Sequence, residues 1–289
     1  MSTVLVTGAS GFVAGQLIPG LARDHEVVAI SRRPVEGAHH SVAGEFGSFE
    51  DLRRLDGHRI DAVIHLAAEV GGTTEEAGLA VNVLGTRRLL RYLADRGCRR
   101  FVMASSIAAV GCLHPEFVPQ SLPLADRHPC LAHDAYGLSK AMAEDVADYF
   151  ARLVPDAMFV NLRFGLAAER VQRQRGHVPR LSLAAPPAMP YLYFGYVAVA
   201  DMVGGLRAAL DAPARPGSRA YNLVAPDIRC TDNVADVLRA KGGDRLTELD
   251  LSPFDRPGAA CPPVYASAAI AADLGYTPHH SVAAAGSYD

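Results

Sequence analysis

Tyr136 and Lys140 stand four residues apart in the segment Tyr136-Gly137-Leu138-Ser139-Lys140, and Lys140 is one of only two lysines in a chain of 289 residues. The surrounding periodicity predicts a helix over 135–153, so both side chains emerge on one face, one turn apart. A phenol beside an ammonium makes a proton donor and acceptor that works near neutral pH. At about 4 Å and an effective dielectric of about 20, two unit charges interact by roughly 4 kcal/mol, or about 3 pK units. That is enough to draw a tyrosine from about 10 towards about 7, where general acid–base work is efficient. The same spacing also occurs in plain amphipathic helices, so the rest of the chain must supply the context.

The amino terminus supplies part of it. The first apolar run opens into Thr7-Gly8-Ala9-Ser10-Gly11-Phe12-Val13-Ala14-Gly15 and then a helical pattern. Glycines at a strand-to-helix turn let the backbone bend tightly and approach a pyrophosphate, which sits on the free N–H groups of the helix start. Ala14 occupies a position where glycine is commonest in such turns. The second strand pattern ends Val27-Val28-Ala29-Ile30-Ser31, followed by Arg32-Arg33. An NAD site wants a carboxylate at that point for the ribose hydroxyls, whereas two guanidiniums match a 2′-phosphate. NADP(H) is therefore the preferred cofactor, with NAD(H) as the alternative.

These residues need an alternating scaffold to position them. The patterning predicts strands at 3–7, 27–31, 60–66, 100–105 and 157–162, with a weaker one at 41–45. Between them it predicts helices at 12–23, 48–55, 75–96 and 135–153. Runs such as Val4-Leu5-Val6 and Ala62-Val63-Ile64 are continuously apolar, as strands covered on both faces are. The implied fold is α/β, a Rossmann-type doubly wound parallel sheet with a smaller C-terminal substrate-binding lobe and a ligand crevice at the carboxyl ends of the strands. Residues 1–165, returning for parts of 196–230, form the expected dinucleotide-binding domain, and 166–289 the substrate-binding lobe. Residues 166–195 show no clear periodicity. After them come short strands at 196–199 and 220–224 and helices at 200–211, 231–240 and 266–274.

Bulk properties narrow the function further. Apolar residues make up 49% and charged residues 20%, with a net charge of −3, which gives no reason to expect a nucleic acid or an acidic membrane as partner. No apolar run reaches the roughly 18 residues that span a bilayer. The chain enters its first strand at once, which leads to the expectation of a cytoplasmic protein. Five cysteines without a Cys-x-x-Cys pair, and histidines without a His-Glu-x-x-His pattern, lead to the expectation of no metal.

Taken together, the residues resemble the extended short-chain dehydrogenase/reductase family, also called the NAD-dependent epimerase/dehydratase family, over almost the whole chain. Thr7-Gly8-x-x-Gly11-Phe12 is similar to its glycine motif, and Asp61-Ala-Val-Ile-His65-Leu66-Ala67-Ala68 to its central strand. Asn82-Val83-Leu84-Gly85-Thr86 resembles a helix segment behind the site, and Phe101-Val-Met-Ala-Ser105-Ser106 the strand that delivers a catalytic hydroxyl. Tyr221-Asn222-Leu223 and Leu274-Gly275-Tyr276-Thr277-Pro278 look like its C-terminal signatures. The resemblance implies a catalytic triad of Ser106, Tyr136 and Lys140. Ser106 would hold the substrate oxygen, and Tyr136 would exchange its proton as hydride moves to or from a nicotinamide. Lys140 would lower the tyrosine pKa and hold the nicotinamide ribose. It also implies cofactor contacts at Gly8, Ser10, Gly11, Phe12, Val13, Ser31, Arg32, Arg33, Glu45, Phe46, Leu66, Ala67, Ala68 and Asn82, besides Tyr136 and Lys140. Ser106, Leu166, Arg173 and Arg256 fall where substrate binds.

Departures from the pattern bear on the substrate. No acid follows Ser106, where 4,6-dehydratases of the family carry one; the residues are Ile107-Ala108-Ala109. Leu166 stands where nucleotide-sugar epimerases usually have an asparagine, Phe194 where they have a diphosphate-binding arginine and Ala198 where they have a histidine, while Arg256 matches the second diphosphate arginine. The basic run from Arg170 to Arg180 suits an anionic group on a small-molecule substrate or a solvated surface. Three readings stay open. The first is a reductase, or the reverse dehydrogenase, acting on a ketone or secondary alcohol of a small polar metabolite. The second is a nucleotide-sugar epimerase with tightly retained NAD. The third is a dinucleotide-binding module without turnover, against which the complete triad argues. Apolar stripes on helices 75–96 and 135–153 lead to the expectation of a homodimer.

Overall fold

A computed structural model of the chain describes residues 1–284 together with Gly286 and Tyr288. Among the described residues there are nine strands: β1 Thr3–Thr7, β2 Glu26–Ser31, β3 His40–Ala43, β4 Ala62–His65, β5 Arg100–Ser106, β6 Met158–Phe164, β7 Leu166–Ala167, β8 Tyr196–Val197 and β9 Gly217–Leu223. The helices are α1 Phe12–Leu21, α2 Phe49–Leu52, α3 Glu75–Gly78, α4 Thr86–Asp95, α5 Ala135–Leu153, α6 Ala168–Arg175, α7 Pro190–Tyr193, α8 Val199–Asp211, α9 Val234–Gly242 and α10 Ala268–Leu274. A wide π-turn segment, Leu79–Gly85, joins α3 to α4, so 75–95 is one unbroken helical run.

Seven strands form one sheet in the order β3-β2-β1-β4-β5-β6-β9. β1 pairs parallel with β2 and β4, β2 with β3, and β4 with β5. Order reverses at β1, the switch point beside which open parallel sheets of this type bind ligands. Val4, Leu5, Val6, Val27, Val28, Val63 and Ile64 are fully buried, which is why their runs are apolar without alternation. β7 and β8 make a separate two-stranded parallel pair.

The chain divides into two compact units. The first comprises 1–105, 138–162 and 206–220, and the second 106–137, 163–205 and 221–289. The chain passes from the first to the second at the carboxyl ends of β5, β6 and β9. In the first unit a core forms around Leu5, Ile30, Leu89, Leu93, Phe101 and Phe159, where the Phe101 and Phe159 rings stack with centroids 4.6 Å apart. The second unit has its own core around Val110, Leu124, Phe194, Val237, Phe254 and Tyr265.

The sequence does not show β7, α6 or α7, of which α6 is the longest. Residues 168–175 form the helix α6, in a stretch read as irregular. Its sequence Ala-Glu-Arg-Val-Gln-Arg-Gln-Arg buries only Ala168 and Val171, too few apolar positions to show a period, and Gly176 ends it in the left-handed region (φ 81°). The C-terminal signatures prove to be packing devices. The Asn222 side chain donates to the Leu124 and Ala266 carbonyls, the Tyr221 hydroxyl donates to Asp273, and the Tyr276 hydroxyl donates to buried Asp201.

Candidate active site

The glycine turn is built for close approach. Gly8 takes φ 63°, and a Cβ there would lie 2.6 Å from the Ala67 nitrogen and 2.7 Å from the Leu66 carbonyl carbon. The chain leaving β1 thus lies against the chain leaving β4, which only a residue without a side chain permits. A Cβ on Gly11 would lie 2.9 Å from the Gly8 oxygen, which itself accepts the Gly11 N–H at 2.9 Å. Gly11 caps α1 without a side-chain hydrogen bond, so the first-turn N–H groups are not spent on a cap. A cradle that a Cβ would fill, leading into an uncapped helix start, fits the pyrophosphate of a dinucleotide. Ser10 and Gly11 are exposed there, with Phe12 and Val13 partly so.

A buried polar relay stiffens this turn from below. The His65 ring lies 2.6 Å from the Thr7 hydroxyl through Nδ1 and 2.9 Å from the Thr86 hydroxyl through Nε2. The Thr7 hydroxyl also accepts the Ala67 N–H at 3.2 Å. Burial, with the Lys140 charge adding to it, pushes His65 down to about 3, so the imidazole is neutral at physiological pH. Asn82, in the π-turn segment, receives the Glu69 N–H at 2.7 Å and donates to the Glu69 carbonyl and the Ser139 hydroxyl, each at 2.9 Å. Its amide is therefore occupied with joining the loop after β4 to α5.

In the second unit, Ser106 ends β5 and Tyr136 begins α5. The Ser106 oxygen accepts the Ala108 N–H at 3.1 Å, and its hydroxyl is hydrogen-bonded to the Tyr136 phenol. Asp134 caps α5 by accepting the Gly137 N–H at 2.8 Å, the role an aspartate takes just before a helix. A Cβ on Gly137 would lie 2.6 Å from the Ala108 carbonyl oxygen, so the glycine after Tyr136 lets the helix start seat against the turn that follows Ser106.

The electrostatics differ from the sequence expectation. Burial pushes the Tyr136 phenol up to about 12, while the Ser106 hydrogen bond and the Arg170 guanidinium act in the opposite direction. Lys140 is buried too. Its Nζ donates to the Ala104 carbonyl at 2.7 Å, and burial brings it down to about 8. Attraction between two charges is outweighed by desolvation, which favours the neutral form of both groups. As found, the phenol is a protonated acid at neutral pH.

With this geometry in place, comparison with known proteins is informative. Residues 4–224 match the NAD dependent epimerase/dehydratase family. The chain belongs to this family. L-arabinose 1-dehydrogenase (NAD(P)(+)) of Haloferax volcanii is 26% identical over 84% of the chain and 95% of its own length. A UDP-glucose 4-epimerase of Erwinia amylovora is 27% identical over 77% of the chain and 78% of its own length. UDP-glucose 4-epimerase 2 of Oryza sativa subsp. japonica is 27% identical over 56% of the chain, and the match spans only 44% of that protein. Among solved structures, a short-chain dehydrogenase/reductase superfamily protein from Agrobacterium tumefaciens with bound NAD shares the fold (TM-score 0.70, 24% identity, 96% of this chain and 93% of that one). So does MoeE5 in complex with UDP-glucuronic acid and NAD (TM-score 0.70, 24% identity, 97% and 95%). Dehydrogenases and epimerases of this family are thus what the chain resembles.

The remaining residues singled out in the sequence lie as follows. Ser31 is buried at the end of β2 and its hydroxyl donates to Ser10 at 3.2 Å, while Arg32 and Arg33 beyond it are exposed. Glu45 is exposed, and Phe46 packs its ring 4.9 Å from that of His65 and against Gly85. Leu66, Ala67 and Ala68 are partly exposed after β4. In the second unit Leu166 lies in β7, Arg173 is exposed on α6 and Arg256 is exposed in a turn. Of the basic run, the sequence points to Arg173, whereas the Arg170 guanidinium acts on Tyr136 and lowers its phenol. Glu144 and Ser105 were also missed. The i, i+4 spacing of Glu144 from Lys140 was the available signal. Among the described residues, Asp201, His279 and His280 bring one ligand atom each within 4.8 Å of one another, but Asp201 already accepts hydrogen bonds from Tyr276 and from both histidine backbones.

Gly8→Ala tests the cradle. The left-handed conformation alone costs about 1–2 kcal/mol for a residue with a side chain, and the collision with Ala67 adds to that. Thermal unfolding should show a lowered midpoint, and dinucleotide binding by calorimetry should be lost; wild-type values for both would mean the turn tolerates a side chain.

Proposed function

We propose that this protein is an NADP(H)-dependent reductase, or the reverse dehydrogenase, acting on the carbonyl or secondary hydroxyl of a small polar metabolite. The observation that carries the reading is the Ser106 hydroxyl hydrogen-bonded to the Tyr136 phenol, on the first turn of the helix that also bears Lys140. In this reading Ser106 orients the substrate oxygen and Tyr136 moves a proton to or from it. A nicotinamide supplies or accepts the hydride when bound. A phenol held protonated by burial suits the reducing direction, because it can donate as negative charge develops on the carbonyl oxygen. In this reading Lys140, four residues on along α5, holds the cofactor ribose. Residues 1–165, with parts of 196–230, carry the dinucleotide, and 166–289 carry the substrate.

Support for NADP(H) comes from the end of β2, where a serine and two exposed arginines replace the carboxylate an NAD site uses. An arabinose dehydrogenase matching along nearly its whole length supports a small substrate without a nucleotide. The second reading, a nucleotide-sugar epimerase retaining NAD, is favoured by the epimerases among the relatives and by exposed Arg256. Against it, the first diphosphate arginine is replaced by Phe194, which is buried. The protein is placed in the cytoplasm in this reading. Among the described residues no helix is long and apolar enough to cross a membrane. Leu84, Met142, Tyr149 and Leu153 leave apolar side chains on the 75–95 run and α5 exposed, and they would be covered in a homodimer.

Three measurements test this. In fluorescence titrations NADPH should bind more tightly than NADH, and Arg32→Asp with Arg33→Ala should reverse the order; unchanged relative affinities would remove the 2′-phosphate site. Tyr136→Phe should keep NADPH affinity within about 2-fold while turnover across a panel of carbonyl metabolites falls by about 10²–10⁴-fold. Tightly held NAD, with no net NADPH oxidation by any carbonyl, would instead establish the epimerase. Sedimentation should give a dimer that Met142→Asp with Tyr149→Asp converts to monomer, and a wild type that already sediments as a monomer contradicts the assembly.

A further inference from the structure

Behind Lys140, in the first unit, lies a cavity of about 10 Å³ lined among others by His65, Asn82, Ser105, Lys140, Glu144 and Asn161. It has room for about one water molecule. Lys140 is 6% exposed and Glu144 7%. Glu144 lies one helical turn beyond Lys140 on α5, and the Ser105 hydroxyl donates to its Oε1 at 2.5 Å. The proposed function uses Tyr136, Lys140 and Ser106 and leaves Glu144 and Ser105 without a task.

We propose that Glu144, clamped by Ser105, is a positioning residue whose carboxylate is the counter-charge that keeps the Lys140 ammonium protonated inside the protein. The groups facing Lys140 from each element leave that task to Glu144. β4 contributes His65, which is neutral. β5 contributes the Ala104 carbonyl, a dipole, and Ser105, which is turned to Glu144. The π-turn segment contributes Asn82 and β6 contributes Asn161, both uncharged. Among the described residues lining the cavity, Glu144 is the one anion. A buried ammonium loses its hydration and holds its proton only where an opposite charge or strong acceptors replace it. The lowering of Lys140 by burial, with Glu144 opposing it, agrees with this arrangement. Ser105 fixes the carboxylate rotamer with a charge-assisted bond, so the counter-charge stays in place.

The functional meaning of this device rests on the role given to Lys140 above, but its test does not require turnover. The chain has only two lysines, Lys140 and Lys241, so protein labelled with ¹³C at lysine Cε gives two side-chain signals, and Lys241→Arg assigns them. In a pH titration of the full chain the Lys140 signal should show a midpoint near 8. Glu144→Gln should lower that midpoint by about 1 unit or more, Glu144→Asp should restore most of it, and Ser105→Ala should lower it by a smaller amount. A midpoint in Glu144→Gln equal to wild type overturns the proposal, and so does an equal shift in Glu144→Asp, which keeps the charge. Should Glu144→Gln fail to fold, Ser105→Ala decides by itself: a lowered midpoint supports the clamp and an unmoved one refutes it. Failure here leaves Tyr136→Phe as the separate arbiter of the proposed function.

Discussion

The site depends on one burdened interaction, a positive charge held in the interior where water cannot hydrate it. Much of the surrounding polar structure reads as a consequence of Lys140 being there. His65 is forced neutral by burial and by that charge, and it then serves as a fixed link between Thr7 and Thr86. Asn82 holds Ser139, the residue beside the lysine, and ties it to the loop after β4. The chain otherwise writes its basic residues almost entirely as arginine, and it buries arginines elsewhere, as with Arg229 donating to the Val178 and Val282 carbonyls. A guanidinium suits such a fork of acceptors and keeps its proton under all conditions. A compact ammonium gives up its proton more readily than a guanidinium, and burial brings Lys140 down to about 8.

Burial acts with opposite consequences on the two titrating groups. It raises the phenol and lowers the amine, so each is pushed towards its neutral form. A neutral phenol is a competent acid, whereas a neutral amine would lose its electrostatic purpose. The fold opposes desolvation at both groups. It gives the phenol one hydroxyl partner and surrounds the amine with a carbonyl and a nearby carboxylate.

Much of this architecture was legible in the sequence, because periodicity and burial are tightly coupled in a parallel sheet. β1 falls on 3–7 and α5 on 135–153 as the patterning indicates, and β2, β5 and α1 differ by one or two residues at their ends. Continuous β-branched runs leave few alternatives in such strands. The helix α6 was not legible, since a polar helix with two buried residues carries almost no periodic signal. At the site, the types and spacing of Ser106, Tyr136 and Lys140 were visible while their ionisation was not. The sign of a pKa shift depends on how completely three-dimensional packing removes water, and spacing along a chain does not contain that quantity. The same limit hid Asn82's occupation with Glu69 and Ser139, which are distant in sequence.

Tyr136, Lys140 and Glu144 repeat at intervals of four on one helix, and the interval has a geometric result. A helix of 3.6 residues per turn advances about 40° beyond a full turn with each step of four. Two steps carry the face around by about 80°, from the half-buried Tyr136 through buried Lys140 to buried Glu144. The stripe therefore turns from solvent access towards the core as it runs along α5. A regular spacing thus carries three polar residues of graded exposure on a single helix. A loop could supply the same residue types, but it would not hold the carboxylate one helical turn from the amine.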